Sequence, residues 1–343
     1  MTRWTTRRRL HALTTPLVLL LDLVLTVLVV GFCVPLWILP WRAAVVLARL
    51  YGLVVGAAWP LSRRTGAINI LRAYGDQVSP PQATRRTWTV WSSLGASVAE
   101  GLQFARRFKS AQADWKGLYE AEDPDLERQI LADPRPKIFV TAHLGSWEVA
   151  TGIAGLRAGD RGAALARRVD NLFLNALVRR VRLRDSRQWI EKRGGAMVAL
   201  GRLRRGDSVA LLLDENAGPR GVFVDFFGRP ASTGRIAGLL AVHARCPIVV
   251  GVCIRRPAKP FLFRLALIEP PEEARLDASD TVTRAVVAQL ERWVRDDPWQ
   301  WRWIHWRWKT RPGGSEESYS RRDLAACSPR RSLEADAKQG TLA

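Results

Sequence analysis

A long apolar run near the N-terminus limits the possible structures of this chain more than any other feature does. From Pro16 to Leu39 nearly every residue is apolar, and Asp22 is the single formal charge. A run of this length can cross the hydrocarbon core of a bilayer, which is about 30 Å thick. It is flanked by basic and tryptophan residues, which favour membrane interfaces: Arg7, Arg8 and Arg9 before it, and Trp37, Trp41 and Arg42 at its other end. A cleaved signal peptide is the alternative, but the run is too long and no small-x-small cleavage site follows. The run therefore predicts a retained membrane anchor.

A second apolar stretch, from Ala43 to Leu61, follows directly. It contains Arg49, and Arg63 and Arg64 come just after it. Because basic residues flank both stretches, the positive-inside bias does not fix their orientation. The second stretch either returns the chain through the membrane as a hairpin or lies in the interface as an amphipathic element. Either way, residues 1–64 are predicted to form a membrane-associated segment.

Charge and composition narrow the classes of partner. Lys and Arg number 53 against 32 Asp and Glu, so the 343-residue chain carries a formal charge of +21. Such a charge indicates an anionic partner, either nucleic acid or phospholipid. The four cysteines are widely scattered, which excludes a disulfide-dense scaffold and a CxxC-paired zinc site. Fifteen tryptophans against four tyrosines suit a membrane interface.

The rest of the chain alternates between strand and helix patterns. Short β-branched runs predict buried strands at Lys137–Ala142, Val209–Leu213, Pro247–Ile254 and Phe261–Ile268. Apolar residues at helical spacing predict helices at Thr84–Gln112, Leu172–Arg184, Ala196–Arg204, Ile236–Arg245 and Thr281–Arg295. Between them, Asp123–Pro136 is predicted to be a loop. This alternation predicts an α/β domain over residues 65–312, with a mixed, mainly parallel sheet flanked by helices. The polar residues 313–343 are predicted to be a disordered tail.

One histidine lies where α/β folds place their active sites. His143 follows the first predicted strand, and Glu148 comes five residues later. If a helix begins near Ser146, Glu148 lies in its first turn and can reach back to the imidazole. A carboxylate would orient the ring and leave its other nitrogen to accept a proton. Since there is no GxSxG serine motif, such a dyad would activate an external hydroxyl. For an isolated histidine, the alternative is a structural role.

Four segments, in chain order, resemble the motifs of one bacterial family. They are Val140-Thr-Ala-His-Leu-Gly-Ser-Trp-Glu148, Arg167-Arg-Val-Asp-Asn171, Asp214-Glu-Asn-Ala-Gly218 with Gly221-Val-Phe-Val-Asp-Phe-Phe-Gly-Arg-Pro-Ala-Ser-Thr233, and Gln300-Trp-Arg-Trp-Ile-His-Trp-Arg-Trp-Lys309. The family is that of the lipid A biosynthesis lauroyl and myristoyl acyltransferases, to which phosphatidylinositol mannoside acyltransferase also belongs. Glu215 stands where many relatives have Gln, and Asp225 where many have Pro.

The resemblance implies a glycerolipid-acyltransferase-like fold on the cytoplasmic face of the inner membrane. The implied reaction moves an acyl chain from acyl carrier protein or coenzyme A to a hydroxyl of an anionic glycolipid, with no cofactor and no metal. It implies that His143 is the general base and Glu148 its partner. The residues that it implies for substrate binding are Arg167, Asn171, Asp214 and Glu215.

Other features have two interpretations each. Phe223, Phe226 and Phe227 either fill the core or line a groove for the acyl chain. The segment Gly228–Arg235 is either a phosphate-binding turn at a helix start, using Gly228, Arg229 and Thr233, or a loop in which Ser232 or Thr233 caps a helix. His305 is interpreted as structural. A basic nucleic-acid-binding protein is an alternative that only the charge supports. No recognition motif for nucleic acid is present, and the N-terminal apolar run argues against it. A family member that binds lipid without catalysis is a further alternative, against which His143 and Glu148 argue.

Overall fold

Two long apolar helices open the part of the chain that the structure describes. The computed structural model describes residues 16–108, 117–182, 188–192, 194–257, 260–271 and 276–326. Helix α1 spans Pro16–Ile38 and helix α2 spans Trp41–Ala58, with Pro40 at the junction. By length and composition both are able to cross a membrane, with mean hydropathies of 2.6 and 1.4. Both predicted apolar stretches are therefore helical; Arg7, Arg8 and Arg9 lie outside the described residues.

Helices α3 (Pro60–Tyr74) and α4 (Pro80–Arg107) join this pair to the rest of the protein. A capping box between Ser79 and Gln82 starts α4, four residues before the predicted start. Helices α2 and α4 cross closely, because a Cβ added at Gly52 would collide with the carbonyl group of Trp91. A Cβ at Gly95 would likewise collide with the carbonyl group of Ala48. The glycines allow the two backbones to touch, which holds α2 against the domain.

A seven-stranded sheet forms the centre of the described domain. Its strands are β1 (Tyr119–Ala121), β2 (Ile138–Thr141), β3 (Gly162–Ala166), β4 (Gln188–Glu191), β5 (Ser208–Leu212), β8 (Ile248–Ile254) and β9 (Phe261–Ile268). Their order is β1-β9-β8-β2-β5-β3-β4, and β8 and β9 are the one antiparallel pair. The predicted mainly parallel sheet is therefore confirmed. Strands β1, β3 and β4 were not predicted, because they are short or rich in Ala.

Helices cover both faces of the sheet. They are α5 (Pro124–Ala132), α6 (Trp147–Ala158), α7 (Leu172–Arg182), α8 (Ala196–Arg204), α9 (Ile236–Ala244) and α10 (Leu276–Asp296). Alternate residues of β2 point to opposite faces. Ile138 and Val140 join one buried cluster with α8, α9 and α10, while Phe139 joins another with α4 and α6. The four later predicted helices are confirmed, with residues 183–184 outside the described part. Helix α5 contradicts the loop predicted at Asp123–Pro136; Asp123 caps it by accepting two backbone N–H bonds.

The C-terminal residues pack onto the domain. Strands β6 (Val222–Phe226) and β7 (Arg229–Thr233) form a separate hairpin against which the tryptophan-rich segment lies. Beyond it, Glu317 pairs with Arg72 of α3 at 2.8 Å, and a short helix, α11, spans Arg321–Ala326. The predicted disordered tail is therefore wrong for residues 313–326, while residues 327–343 lie outside the described part.

Candidate functional site

The carboxyl end of β2 and that of β5 bring a histidine and an aspartate together. Thr141 of β2 pairs with Leu212 of β5, so His143 and Asp214 each lie two residues beyond paired positions. Imidazole Nδ1 lies 2.8 Å from Asp214 Oδ1, and the backbone N–H of His143 donates to Asp214 Oδ2, also at 2.8 Å. The indole Nε1 of Trp301 donates to the same Oδ2 at 2.9 Å. Asp214 is thus held in position from three directions.

The charge on Asp214 determines which nitrogen of the His143 imidazole carries the proton. Burial alone would raise the pKa of Asp214. The imidazole of His143 and its hydrogen bonds, with Arg302, outweigh burial and hold that pKa well below its usual range. An ionised carboxylate only accepts hydrogen bonds, so Nδ1 carries the proton. In the neutral imidazole, the other ring nitrogen, Nε2, has the lone pair and can act as a base.

This geometry corrects the role assigned to Glu148 from sequence. The carboxylate on Nδ1 of His143 is that of Asp214, which the resemblance had placed among the substrate-binding residues. The argument from sequence looked only for a carboxylate close to His143 in the chain. His143 and Asp214 are 71 residues apart, and they meet because β2 and β5 are neighbours. Glu148 does lie in the first turn of α6, with Ser146 at the N-cap, and lines the same cavity as His143. A catalytic part for Glu148 stays a prediction.

The loop that carries His143 is clamped by a buried ion pair. Gly145 adopts a left-handed backbone (φ +60°), and a Cβ there would collide with the carbonyl group of Cys253. Its carbonyl oxygen accepts hydrogen bonds from Arg255 Nη2 at 2.9 Å and from the Ser97 hydroxyl at 3.0 Å. Arg255 Nε in turn pairs with the buried Glu100 of α4 at 2.7 Å. None of this clamp was predicted, since its members come from three distant parts of the chain.

An apolar cavity of about 530 Å³ begins at His143 and runs along one face of the sheet. Part of its lining consists of small side chains, which leave the space open. They come from β3, β5 and α6: Ala164, Ala166, Ala210, Thr151, Ala154, Gly155 and Ala158. Val29, Val30 and Cys33 of α1 line it as well. The cavity therefore lies between the domain and the first apolar helix.

Charged side chains surround the mouth of the cavity. Glu215 Oε1 pairs with Arg302 Nη2 at 2.6 Å, and Glu215 Oε2 lies 3.8 Å from Lys192 Nζ. Burial opposes ionisation of Glu215, but Arg302, with His143 and His305, lowers its pKa to about 2. Arg167 lines the cavity with its side chain 71% exposed and pairs with Asp170 at 3.3 Å. The predicted Arg167 and Glu215 thus lie at the mouth beside His143.

Asn171 proves to be a structural residue. Its Nδ2 donates to the carbonyl oxygen of Asp22 in α1, and its Oδ1 accepts from the Thr26 hydroxyl and from the backbone N–H of Leu174. One Asp22 carboxylate oxygen accepts from the backbone N–H of Leu172. These hydrogen bonds offset the free-energy cost of burying Asp22 in an apolar helix. They join α1 to the first turn of α7, while the binding role implied for Asn171 stays a prediction.

The predicted phosphate-binding turn is a β-hairpin. Gly228, with φ +67°, turns the chain between β6 and β7, and Arg229 pairs with Glu317 at 3.1 Å. Thr233 is buried, and its hydroxyl accepts from Arg307 Nη2 at 2.7 Å. None of the three lines the cavity, and the N-cap of α9 is Arg235, not Ser232 or Thr233. The helix-cap interpretation is therefore wrong, and phosphate binding by Gly228, Arg229 and Thr233 stays a prediction.

The aromatic residues of this region form core. Phe226 and Phe227 are buried against Trp301, Trp303 and Trp308. The core interpretation of these two phenylalanines is confirmed, since the cavity is lined elsewhere.

His305 also has a structural role. Its Nε2 accepts the backbone N–H of Asn216 at 2.9 Å, and burial, with the charge of Arg302, lowers its pKa to about 4. A neutral imidazole therefore fixes the segment that follows Glu215. Within the described ranges, no group of three or more His, Cys, Asp or Glu is placed to hold a metal ion.

Comparison with known proteins gives one family. The model of the family described as "Bacterial lipid A biosynthesis acyltransferase" matches residues 14–310. The chain is 27% identical to a lipid A biosynthesis lauroyltransferase of Escherichia coli K12 over 56% of this chain and 62% of that protein. It is 25% identical to a lipid A biosynthesis myristoyltransferase of the same organism over 81% of this chain and 84% of that protein. The match to the lauroyltransferase thus spans less than two thirds of its length.

A solved structure gives a weaker match. It is the crystal structure of the 1-acyl-sn-glycerophosphate acyltransferase of Thermotoga maritima, with 14% identity and a TM-score of 0.35. The alignment covers 74% of this chain and 98% of that one.

Proposed function

Since the chain belongs to the bacterial lipid A biosynthesis acyltransferase family, we propose that it moves a fatty acyl chain from an acyl thioester to a hydroxyl of an anionic glycolipid, such as a lipid A precursor. The donor would be acyl carrier protein or coenzyme A. The observation that carries this proposal is the His143–Asp214 pair at the mouth of an apolar cavity. The pair supplies a base, and the cavity supplies room for a hydrocarbon chain.

The transfer follows from the state of the imidazole. Nε2 of His143 takes the proton of the acceptor hydroxyl while the hydroxyl oxygen attacks the thioester carbonyl carbon. The tetrahedral intermediate then expels the thiolate as the carbon–sulfur bond breaks, and the imidazolium returns its proton to the sulfur. Asp214 keeps Nδ1 protonated and stabilises the imidazolium. A base positioned in this way contributes about 10²–10⁴-fold to the rate.

Arg167 is proposed to stabilise negative charge on the intermediate or on the acceptor. Its exposed guanidinium lies at the cavity mouth. Two backbone N–H groups of the His143 loop are already used, because Gly145 donates to the carbonyl of Gln300 and Ser146 to that of Cys253. A cationic side chain beside the base can supply the hydrogen-bond donor that these two N–H groups do not.

The acyl chain is proposed to occupy the cavity along β3 and β5. Ala164 and Ala210 are paired across these strands, and both are half-buried at the cavity wall. Val250 of β8 belongs to the buried core on the other face of the sheet and does not line the cavity. The depth of the cavity below His143 would then limit the length of the chain that is transferred.

The Ala210→Leu variant is expected to prefer shorter acyl chains. Its added carbons would fill part of the cavity, and one misplaced methylene in an apolar pocket costs about tenfold or more in relative rate. Competition between thioesters of different length, with the products weighed by mass spectrometry, measures this. Val250→Ile adds a methyl group on the opposite face of the sheet and is the matched control. An unchanged length profile in Ala210→Leu would place the chain outside this cavity.

The two apolar helices are proposed to hold the enzyme in the inner membrane, with the catalytic domain on the cytoplasmic face. The length and composition of the two helices support attachment to a membrane. The cytoplasmic face is proposed because thioester donors of this kind are cytoplasmic. Mass spectrometry of total lipids from cells with and without the gene tests the proposed function. We expect one anionic glycolipid to lose a single acyl chain when the gene is absent. An unchanged glycolipid profile, with altered phospholipids only, would contradict the proposed acceptor class.

A further inference from the structure

Two helices expose apolar side chains beside the candidate site. Helix α7 follows β3 and helix α8 follows β4, and each shows two large apolar residues to solvent within its first two turns. Their relative exposures are 39% for Phe173, 38% for Leu177, 73% for Met197 and 52% for Val198. We call these four residues the apolar rim. Apolar side chains grouped on a surface in this way mark contact sites.

The rim lies at the same edge of the sheet as His143. Ala166 of β3 pairs with Glu191 of β4, and Ala164 of β3 pairs with Ala210 of β5. The helices that follow β3 and β4 therefore begin at the carboxyl edge, where His143 and Asp214 also lie. Helix α7 lies on the cavity side, since Leu174, Val178 and the rim residue Leu177 line the cavity. Ala199 and Leu203 of α8 join the core of the other side. The rim thus flanks the cavity mouth from both faces of the sheet.

The rim continues an exposed apolar face of α1. The carboxylate and carbonyl of Asp22 hold Leu172 and Asn171 at the start of α7. Within one turn of Asp22, Leu21 and Leu25 are 59% and 49% exposed. Phe173, in the position after Leu172, therefore follows the point at which α7 meets the apolar face that is proposed to contact lipid.

The charges around the rim favour an anionic partner. Exposed arginines follow the apolar residues on both helices: Arg179 and Arg180 on α7, and Arg204 with Arg205 at the end of α8. Arg167 and Lys192, at the ends of β3 and β4, are exposed as well. Apolar residues followed by arginines along a short helix are typical of elements that lie in the interface of an anionic membrane.

We propose that the apolar rim inserts into an anionic bilayer, so that the carboxyl edge of the sheet faces the membrane. The partner is a lipid surface, reached by α8 on the side of the sheet away from α1. The cavity mouth then opens onto the headgroup layer, and a lipid reaches His143 without leaving the membrane. The contact itself does not depend on the acyl-transfer chemistry, so the two proposals can fail separately.

Depth-dependent quenching of a fluorophore tests the contact. Met197→Cys, in the full chain reconstituted in vesicles of phosphatidylcholine and phosphatidylglycerol, is labelled with an environment-sensitive thiol reagent. Labelling of the wild-type chain corrects for its own cysteines. The matched control is Leu131→Cys on α5, since Leu131 is 51% exposed and its helix leads to the amino end of β2. We expect lipids with a nitroxide near the headgroup to quench the label at 197 strongly and the label at 131 weakly, and iodide in solution to do the reverse.

Quenching by iodide at both positions would overturn the proposal. Cross-linking between two labelled chains through position 197 would also overturn it, because the rim would then contact a second copy. A double variant, Met197→Asp with Val198→Asp, tests the consequence. Withdrawing these two apolar side chains from lipid is expected to reduce transfer to an acceptor in vesicles by about tenfold or more, with transfer in detergent micelles unchanged. Equal losses in vesicles and micelles would point to misfolding and contradict a role at the membrane surface, whereas Leu131→Asp is expected to change neither.

Discussion

The His143→Ala variant is expected to lose acyl transfer by about 10²–10⁴-fold, because a positioned base contributes that much to the rate. A lipid hydroxyl is a poor nucleophile at neutral pH, and in the structure the imidazole paired with Asp214 lies at the cavity mouth. Incorporation of a radiolabelled acyl chain into lipid measures the loss. The variant should still pellet with membranes after a salt wash, since α1 and α2 do not depend on His143.

His243→Ala is the matched control for this variant. His243 lies on α9 and is exposed to solvent, so its removal should leave transfer unchanged. Turnover in His143→Ala close to that of the wild type would rule out His143 as the base.

The Asp214→Asn variant is expected to lose kcat by roughly the same factor, with little change in KM. An amide in place of the carboxylate can donate to Nδ1 and so favour the wrong tautomer, which removes the lone pair from Nε2; the same change in a Ser-His-Asp triad costs about 10⁴-fold. Steady-state kinetics in detergent, with thermal unfolding as a check of the fold, measure the effect. Asp225→Asn is the matched control, because Asp225 is exposed on the β6–β7 hairpin.

Glu148→Gln decides between the two carboxylates. If Asp214 orients the imidazole, its variant should lose activity even when Glu148 is intact. Full activity in Asp214→Asn, together with loss in Glu148→Gln, would restore Glu148 as the orienting partner and contradict the geometry described above.

The position of the base could be predicted from sequence, but its partner could not. A β-branched run followed by a turn was enough to place His143 at the end of a strand. Asp214 follows a similar run 71 residues later, and only the order of strands in the sheet makes β2 and β5 neighbours. Strand order is a long-range property, which local apolar patterns do not encode. Arg255 escaped notice for the same reason, because its partners Glu100 and Gly145 are far from it in the chain.

Residues that match a family motif can also serve the fold. Asn171 and Thr233 lie in such segments, yet the first links α7 to α1 and the second accepts from the buried Arg307. From sequence, a polar residue in a motif is equally consistent with ligand binding and with satisfying buried polar groups. For Asp22, the sequence showed that a buried charge needed partners but did not show which residues supply them. Its cost inside an apolar helix was visible, but its partner at the start of α7 was not.

The cavity was the least predictable feature. The sequence suggested large phenylalanines as the wall of an acyl groove, whereas the space lies where side chains are small. Alternate residues of β3 and β5, such as Ala164 and Ala210, face α6 across a gap that larger residues would close. A cavity that exists because nearby side chains are small produces no apolar pattern in the sequence from which it could be predicted.

The central claim is that this protein joins an acyl chain to a lipid hydroxyl through the His143–Asp214 pair, and a reaction with purified components tests it most directly. The full chain in vesicles is given an acyl thioester and an anionic glycolipid, and free thiol and lipid mass are followed together. We expect each released thiol to be matched by one glycolipid that has gained one acyl chain, and we expect neither product from His143→Ala. Release of thiol with free fatty acid alone, or an equal yield of acylated glycolipid from His143→Ala, would contradict the claim.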